Sequence, residues 1–307
     1  MNFLSSARIQ DRLLSHPLFI RMLRAYFVAV PVNRGKTRLR RWIEPALARQ
    51  SYVEVLLDGH LRVSLDIRVP GERTLFFHDR TEPEEELFQR LLLPGMTAFD
   101  VGANIGIYTL RAACKVGPTG AVHSFEPCPA NYKRLQANVE LNAFSNVVIN
   151  QAAVSDGGGS VSLYVYDGLN SGKHSLSLEN ASSASVEVRC VTLDDYVLAK
   201  TVPAIDVMKI DVEGAEYLVL AGANRLLSCD SQPVLFCEVS DPLAAGFHYS
   251  SREVKDLLSD YGYQGYTYAD GRLLRTAADH YHDCDNLVFF TKRHCEKFGH
   301  LRNLVSN

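Results

Sequence analysis

Phe99-Asp100-Val101-Gly102-Ala103-Asn104-Ile105-Gly106-Ile107-Tyr108-Thr109 decides the fold. It lies where an apolar run over 97–101 gives way to helical spacing, so it reads as a strand, a glycine-rich turn and a helix N-terminus. Glycines in such a turn let a ligand approach the backbone, and the helix start offers unpaired N–H groups. The three-glycine dinucleotide fingerprint is missing, because Asn104 takes the middle position, and no Gly-Lys-Ser/Thr follows to cradle phosphate. Asparagine is the non-glycine residue that best tolerates left-handed geometry. Taken alone, the element also reads as a tight turn with no ligand.

Downstream, apolar runs at 121–125, 147–150, 205–210 and 234–239 alternate with helical stretches at 105–115, 129–143, 213–228 and 251–260. Buried strands alternating with helices are the sequence form of a parallel sheet covered on both faces. Two stretches interrupt the alternation: strand-like segments around a Gly/Ser/Asn-rich loop at 160–191, and a hairpin at 265–290 with Asp270-Gly271 at its turn. Upstream, a helix is expected after Thr81, with Pro83 and Glu84, Glu85 and Glu86 in its first turn, where the dipole favours acids. A hairpin is expected around Asp58-Gly59. Residues 1–48 read as helix broken by Pro17, Pro31 and Pro45. The domains expected are 1–80 (helices plus hairpin), 81–294 (an α/β domain) and a tail at 295–307.

Of 307 residues, 47% are hydrophobic and 22% charged, which argues against disorder. The longest apolar run, 25–32, is far short of a membrane span, and no clean signal-peptide core opens the chain. Seven cysteines without a Cys-x-x-Cys pair disfavour zinc and disulfide scaffolds and point to a reducing cytoplasm. The net charge of −3 argues against nucleic acid as a partner. Residues 1–50, however, hold ten Lys/Arg against Asp11 and Glu44, a net of +8, which leaves the rest of the chain at −11. That front reads either as a helical cap with a charged outer face or as a peripheral contact with an anionic membrane.

Glu126, in Phe125-Glu126-Pro127, ends the second strand twenty residues after Gly106. A carboxylate there can accept hydrogen bonds from two ribose hydroxyls, or it can cap the next helix. Gly102, Gly106 and Glu126 together describe a nucleoside site, for NAD or for S-adenosylmethionine. Asp100 would face an ammonium favourably and a pyrophosphate unfavourably, which favours the second.

With Lys209-Ile210-Asp211-Val212-Glu213-Gly214-Ala215-Glu216 and Phe236-x-Glu238 added in that order, the motif set resembles the FkbM family of class I S-adenosylmethionine-dependent methyltransferases over about residues 82–293. The resemblance implies a doubly wound, Rossmann-like α/β sheet of seven strands whose last, near 286–290, runs antiparallel, with residues 1–80 as an extension outside it. It also implies O-methylation of a sugar, glycan or natural-product hydroxyl. Asp100, Gly102, Asn104, Gly106 and Thr109 would then surround the methionine part of the cofactor, Glu126 the ribose, Ala152 and Ala153 the adenine. Asp211 would sit near the methyl group, and Glu82 at an upstream acidic position.

An alcohol becomes a good nucleophile only as its proton leaves, so a base is needed. Asp211 or Glu213 is the expected base, with Glu238 orienting it or the acceptor; Lys209 is set aside on strand alternation. In the glycine-rich loop, Asn170, His174 and Ser175 are expected at the acceptor, with His174 an alternative base. The resemblance calls for no metal, although Asp211, Glu238 and Asp241 could bind magnesium. Competing classes are a NAD-dependent oxidoreductase and a non-catalytic binding module on the same fold.

Overall fold

A computed structural model describes residues 16–30, 35–47, 52–77, 83–165, 174–177, 184–276 and 285–305, and it divides into two compact units. The first takes in residues 1–81 and 168–170, the second the remainder.

In the first unit, α1 (Pro17–Ala29) and α2 (Lys36–Leu47) precede a hairpin of β1 (Tyr52–Leu57) and β2 (Leu61–Asp66), followed by α3 (Pro70–Phe77). Period-two alternation turns Val53, Val55 and Leu57 inward with Leu61, Val63 and Leu65. The loop is set by Asp58 and Gly59, both at positive φ. Pro45 does not end its helix as expected, because it falls in the last turn of α2. Arg24 faces inward beside Leu23 and Phe27, and its guanidinium donates to the carbonyls of Leu56, Leu75 and Phe76. Burial lowers its pKa to about 10, opposed by Asp58. Lys36 Nζ caps the C-terminus of α1 on the carbonyls of Phe27 and Val30. Two of the basic residues of the front segment are therefore structural.

The second unit opens with α4 (Pro83–Leu91) and β3 (Thr97–Val101), then α5 (Ile107–Val116), β4 (Ala121–Phe125), α6 (Pro129–Leu141) and β5 (Val147–Asn150). A separate three-stranded sheet follows, from β6 (Ala153–Val154), β7 (Gly159–Tyr164) and β8 (Ser185–Val191). The alternation then resumes with α7 (Leu193–Lys200), β9 (Val207–Ile210), α8 (Glu216–Ala221), α9 (Asn224–Ser228), β10 (Val234–Val239), α10 (Asp241–Ala245) and α11 (Ser251–Asp260). It closes with β11 (Gln264–Ala269), β12 (Arg272–Arg275) and β13 (Asp285–Phe290).

The large sheet runs β12-β11-β13-β10-β9-β3-β4-β5. Strands β10, β9, β3, β4 and β5 are parallel, while β13 is antiparallel to both neighbours. The doubly wound α/β class and the antiparallel last strand agree with the sequence. The count is eight rather than seven, because β12 pairs with β11 at the edge through the Asp270-Gly271 turn. The helix expected at 213–228 begins only at Glu216 and is split at Gly222, where an added Cβ would lie 2.2 Å from the Ser155 carbonyl oxygen. Helices α12 (Lys292–Lys297) and α13 (Gly299–Leu304) reach into the segment expected as a tail, and Phe298 and Leu301 are buried in the core on one face of the sheet, with Phe88, Ala112, Val122 and Phe236. Phe99, Phe125, Met208, Leu235 and Leu258 fill the other face. Among the described residues no helix is long and apolar enough to cross a membrane.

Candidate functional site

Strands β3 and β9 lie side by side where the chain order reverses, β3 continuing to β4 and β5, β9 to β10. Their C-terminal ends therefore open a crevice at a topological switch point, where open α/β sheets bind ligands. In-register pairing puts Ser124, Asp100 and Lys209 in one row across β4, β3 and β9. All three are buried on the face that also carries Ala98, Val122 and Val207.

Asp100 is fully buried. Its Oδ2 accepts from Thr109 Oγ1 (2.6 Å), which also bonds Ser124 Oγ (2.7 Å). Thr109 thus orients Asp100 from the first turn of α5. Burial raises the Asp100 pKa, while Lys209 and Thr109 work to lower it. The second oxygen, Oδ1, is buried with no partner among the described residues, and so is Asn104 Oδ1 in the following turn. Two orphaned acceptors at one turn are costly unless a donor arrives.

The turn is shaped by packing as much as by ligand access. Gly102 has φ +84°, and a Cβ there would lie 1.7 Å from the Asp211 carbonyl oxygen. At Gly106, where φ is +95°, an added Cβ would lie 2.5 Å from Leu135 Cδ1. Asn104 takes φ +50°, the left-handed geometry its residue type tolerates. Gly102 N–H and Ala103 N–H both donate to Phe125 O, and Asn138 Nδ2 holds Ile105 O from inside α6.

Glu126 is buried at the end of β4. Its Oε2 accepts from Asn104 N–H (2.8 Å) and its Oε1 from Cys128 N–H (2.9 Å), so the carboxylate ties the turn to the start of α6. Burial pushes its pKa to about 7, against the pull of these N–H groups, and burial pushes the Glu216 carboxyl to about 7 as well. Carboxyls with raised folded-state values bind protons more tightly in the folded chain. Stability is therefore expected to fall as pH rises from about 4.5 to about 7 and then to level off. Thermal unfolding of the unliganded chain at pH 5.5 and 8 should give the higher midpoint at pH 5.5, and Glu126→Gln should reduce the difference. An unchanged difference in that variant would remove Glu126 from this account.

Lys209 corrects the sequence reading. Residues two apart on a strand share a face, so alternation places Lys209 with Asp211, not against it. Its Nζ donates to Asp211 Oδ2 (2.8 Å) and lies 4.7 Å from the centre of the Tyr108 ring. Burial alone would lower its pKa, but Asp211, Asp100 and Glu238 outweigh that and hold it at about 12. The lysine side chain is 10% exposed and the Asp211 side chain 37%. The ammonium thus pins one carboxylate oxygen, while Asp211 Oδ1 has no hydrogen-bond partner among the described residues.

Around Asp211, the remaining expected residues divide. Glu213 sits in the turn after β9 at φ +54°, outside the helix whose first turn it was thought to share. Glu216, by contrast, folds back to accept from Val212 N–H and Gly214 N–H. Glu238 stands on β10 opposite Asn286, on the face of Lys209. Ser175 is buried, and its hydroxyl donates to Glu213 O while accepting from Ser177 N–H, so it anchors its segment on the Asp211–Glu213 turn. Burial lowers the pKa of His174 beside it. Ala152 and Ala153 are buried just after β5, and Ala153 packs with Cys128. Glu82 and Asn170 lie outside the described residues.

Asp241, considered with Asp211 and Glu238 for magnesium, accepts from Ser251 N–H at Oδ1 (2.7 Å); among the described residues no three His, Cys, Asp or Glu side chains stand together at ligand spacing. Cys128 and Cys237 are buried, and burial pushes both thiols up, as core packing implies.

Comparisons with known proteins bear on the same elements. The chain is 34% identical to the 31-O-demethyl-FK506 methyltransferase FkbM of Streptomyces tacrolimicus, over 43% of this chain and 61% of that one. It is 32% identical to the hexuronic acid methyltransferase AglP of Haloferax volcanii, over 42% and 50% respectively. The chain thus spans roughly half to three fifths of the curated relatives it matches. Among solved structures, methyltransferase FkbM from Methylobacillus flagellatus KT aligns with 82% of this chain and 59% of its own, at a TM-score of 0.41 and 18% identity. Residues 100–264, from the buried Asp100 through the Asp211 turn to the start of β11, match the methyltransferase FkbM domain over more than half the chain, and the protein belongs to that family.

Proposed function

We propose that the protein is an S-adenosylmethionine-dependent O-methyltransferase acting on a hydroxyl of a small-molecule or glycan acceptor. The observation that carries this reading is the pair of orphaned buried acceptors, Asp100 Oδ1 and Asn104 Oδ1, at the turn after β3. An ammonium can donate to such acceptors, whereas a pyrophosphate has no proton to give either of them and meets the Asp100 carboxylate with like charge. The relatives named for acting on 31-O-demethyl-FK506 and on hexuronic acid support a hydroxyl-bearing acceptor.

The cofactor supplies a methyl group already activated on a sulfonium. Asp100 and Asn104 would hold its ammonium, with Gly102, Gly106 and Thr109 shaping the turn. Glu126 would hold the ribose hydroxyls with lone pairs left by its two N–H partners, and Ala152 and Ala153 would border the adenine. Asp211 accepts the acceptor's hydroxyl proton at Oδ1, while Lys209 fixes Oδ2. Glu213, Glu238, His174 and Ser175 would frame the acceptor from the neighbouring turn, strand and loop. The carboxylate holds the hydroxyl in line, and that alignment is the larger part of the catalysis expected of it.

Titration calorimetry on the full chain tests this. S-adenosylhomocysteine should bind one site, NAD should give no saturable heat, and Asp100→Asn should weaken S-adenosylhomocysteine about tenfold to a hundredfold, the range for one charged hydrogen bond. Saturable NAD binding with no response to S-adenosylhomocysteine would refute the proposal. The acceptor class is then found by transfer of labelled methyl to a panel of uronic acids, neutral sugars and macrolide alcohols.

A further inference from the structure

An amphipathic surface helix should be apolar on its core side and polar outside. Helix α1 departs from that rule. Ile20, Leu23 and Phe27 are buried, yet the opposite side shows Leu18 (60% exposed), Met22 (66%), Ala25 and Val28 at the same helical spacing, with Arg21 among them. Leu56 of β1, 52% exposed, continues the apolar surface. Between helix and hairpin lies a groove of about 640 Å³ walled by Ile20, Ala25, Val28, Val55 and Leu56.

The charge at the groove is one-sided once internal pairs are removed. Arg62 is bridged to Glu54 (2.9 Å), and Arg24 is buried on carbonyls with Asp58 as its electrostatic counterpart. Arg21 has no ion-pair or hydrogen-bond partner among the described residues. On α2 of the same unit, Arg38 and Arg41 are also exposed and have no partner among the described residues, and Trp42 is exposed with them. The segment that carries all of these has a net charge of +8.

We propose that the exposed face of α1, with the groove beside it, docks the protein on an anionic phospholipid bilayer. Leu18, Met22 and Val28 would enter the acyl boundary, Leu56 and the groove would take up lipid chain, and Arg21, Arg38 and Arg41 would meet phosphate headgroups. A bilayer offers hydrocarbon and negative charge together, which is what this face lacks. A second copy of the chain is disfavoured as occupant, since it would bring another +8 segment against the first and desolvate Arg21 without a counter-charge. The contact is peripheral and independent of the methyl-transfer reading.

Flotation of the full chain on phosphatidylcholine vesicles, with and without phosphatidylglycerol, tests it. The protein should float only with the anionic lipid and release at high salt. Met22→Asp and Leu18→Asp alter side chains that make little contact with the core, so folding, checked by circular dichroism, should be unchanged while partitioning falls about tenfold. Arg21→Glu should lower it by a similar factor. No flotation on either vesicle overturns the proposal. So does flotation lost in Arg21→Glu but kept in both apolar variants, because that is adsorption by charge alone. A dimer in light scattering that Met22→Asp dissolves would make the occupant a second copy and overturn it equally. None of these outcomes alters the calorimetric test of cofactor binding.

Discussion

Lys209→Met is expected to cost about 3 kcal/mol of folding stability, the lower end for stranding a buried charge, here that of Asp100. Methionine matches the length and removes the charge. Asp100, fully buried, and Asp211 would then face each other across β3 and β9 with no cation between them. The loss should depend on pH. In the native chain the ammonium is held at about 12, above its ordinary 10.5, so its stabilisation is complete below pH 10.5 and is lost as pH rises through 12. In the variant the exposed debt moves to the carboxylates. Without the lysine that works to lower it, the folded-state value of Asp100 rises further, so the variant is expected to regain stability as pH falls toward 5. Urea unfolding at pH 5.5 and 8 reads both effects. Lys209→Met combined with Asp211→Asn should recover part of the loss, because one of the two stranded charges is gone. A Lys209→Met chain within about 0.5 kcal/mol of the parent at pH 8 would show that the pair has no energetic weight.

Gly102→Ala is expected to be at least as damaging, about 3 kcal/mol or more, for two reasons that add. The backbone sits at φ +84°, which L-residues seldom adopt, and the new methyl would overlap the Asp211 carbonyl oxygen at 1.7 Å. That carbonyl belongs to the backbone of a turn anchored by Asp211 N–H on Val101 O, so neither side can yield without parting β3 from β9. Gly106→Ala provides the control. Its φ is as unusual, but its obstacle is the end of a leucine side chain, which can rotate away; a cost nearer 1 to 2 kcal/mol is expected. Urea midpoints for the two alanine variants should fall in that order. The reverse order would mean that the turn is set by ligand access and not by its contact with the Asp211 turn.

Local pattern was enough for most elements. The runs at 97–101, 121–125, 147–150 and 234–239 are strands with those limits, and α11 spans 251–260. Each is a short apolar run or a capped amphipathic segment, so its own residues settle its state. The helix at 213–228 failed for a non-local reason: Gly222 is where the Ser155 backbone passes, sixty-seven residues away in sequence. The eighth strand lies where the Asp270-Gly271 turn marks a hairpin, and what the pattern leaves open is that this hairpin extends the large sheet at its edge.

At the strand ends, the glycine turn and the spacing to the second strand picked out Asp100 and Glu126, the family resemblance added Asp211, and α/β connection rules send all three to one rim. Strand alternation, applied with its correct period, would have added Lys209. What no spacing could supply is the row Ser124-Asp100-Lys209, the buried hydroxyl of Thr109 turned onto Asp100, and the acceptors left without donors at the turn. The amino-acid order determined the strands, the helices and the rim on which the chemistry-bearing residues lie. Only the tertiary structure decided which charges face each other, because pairing between strands and burial between layers, not position along the chain, set the distance and the dielectric that give those charges their energy.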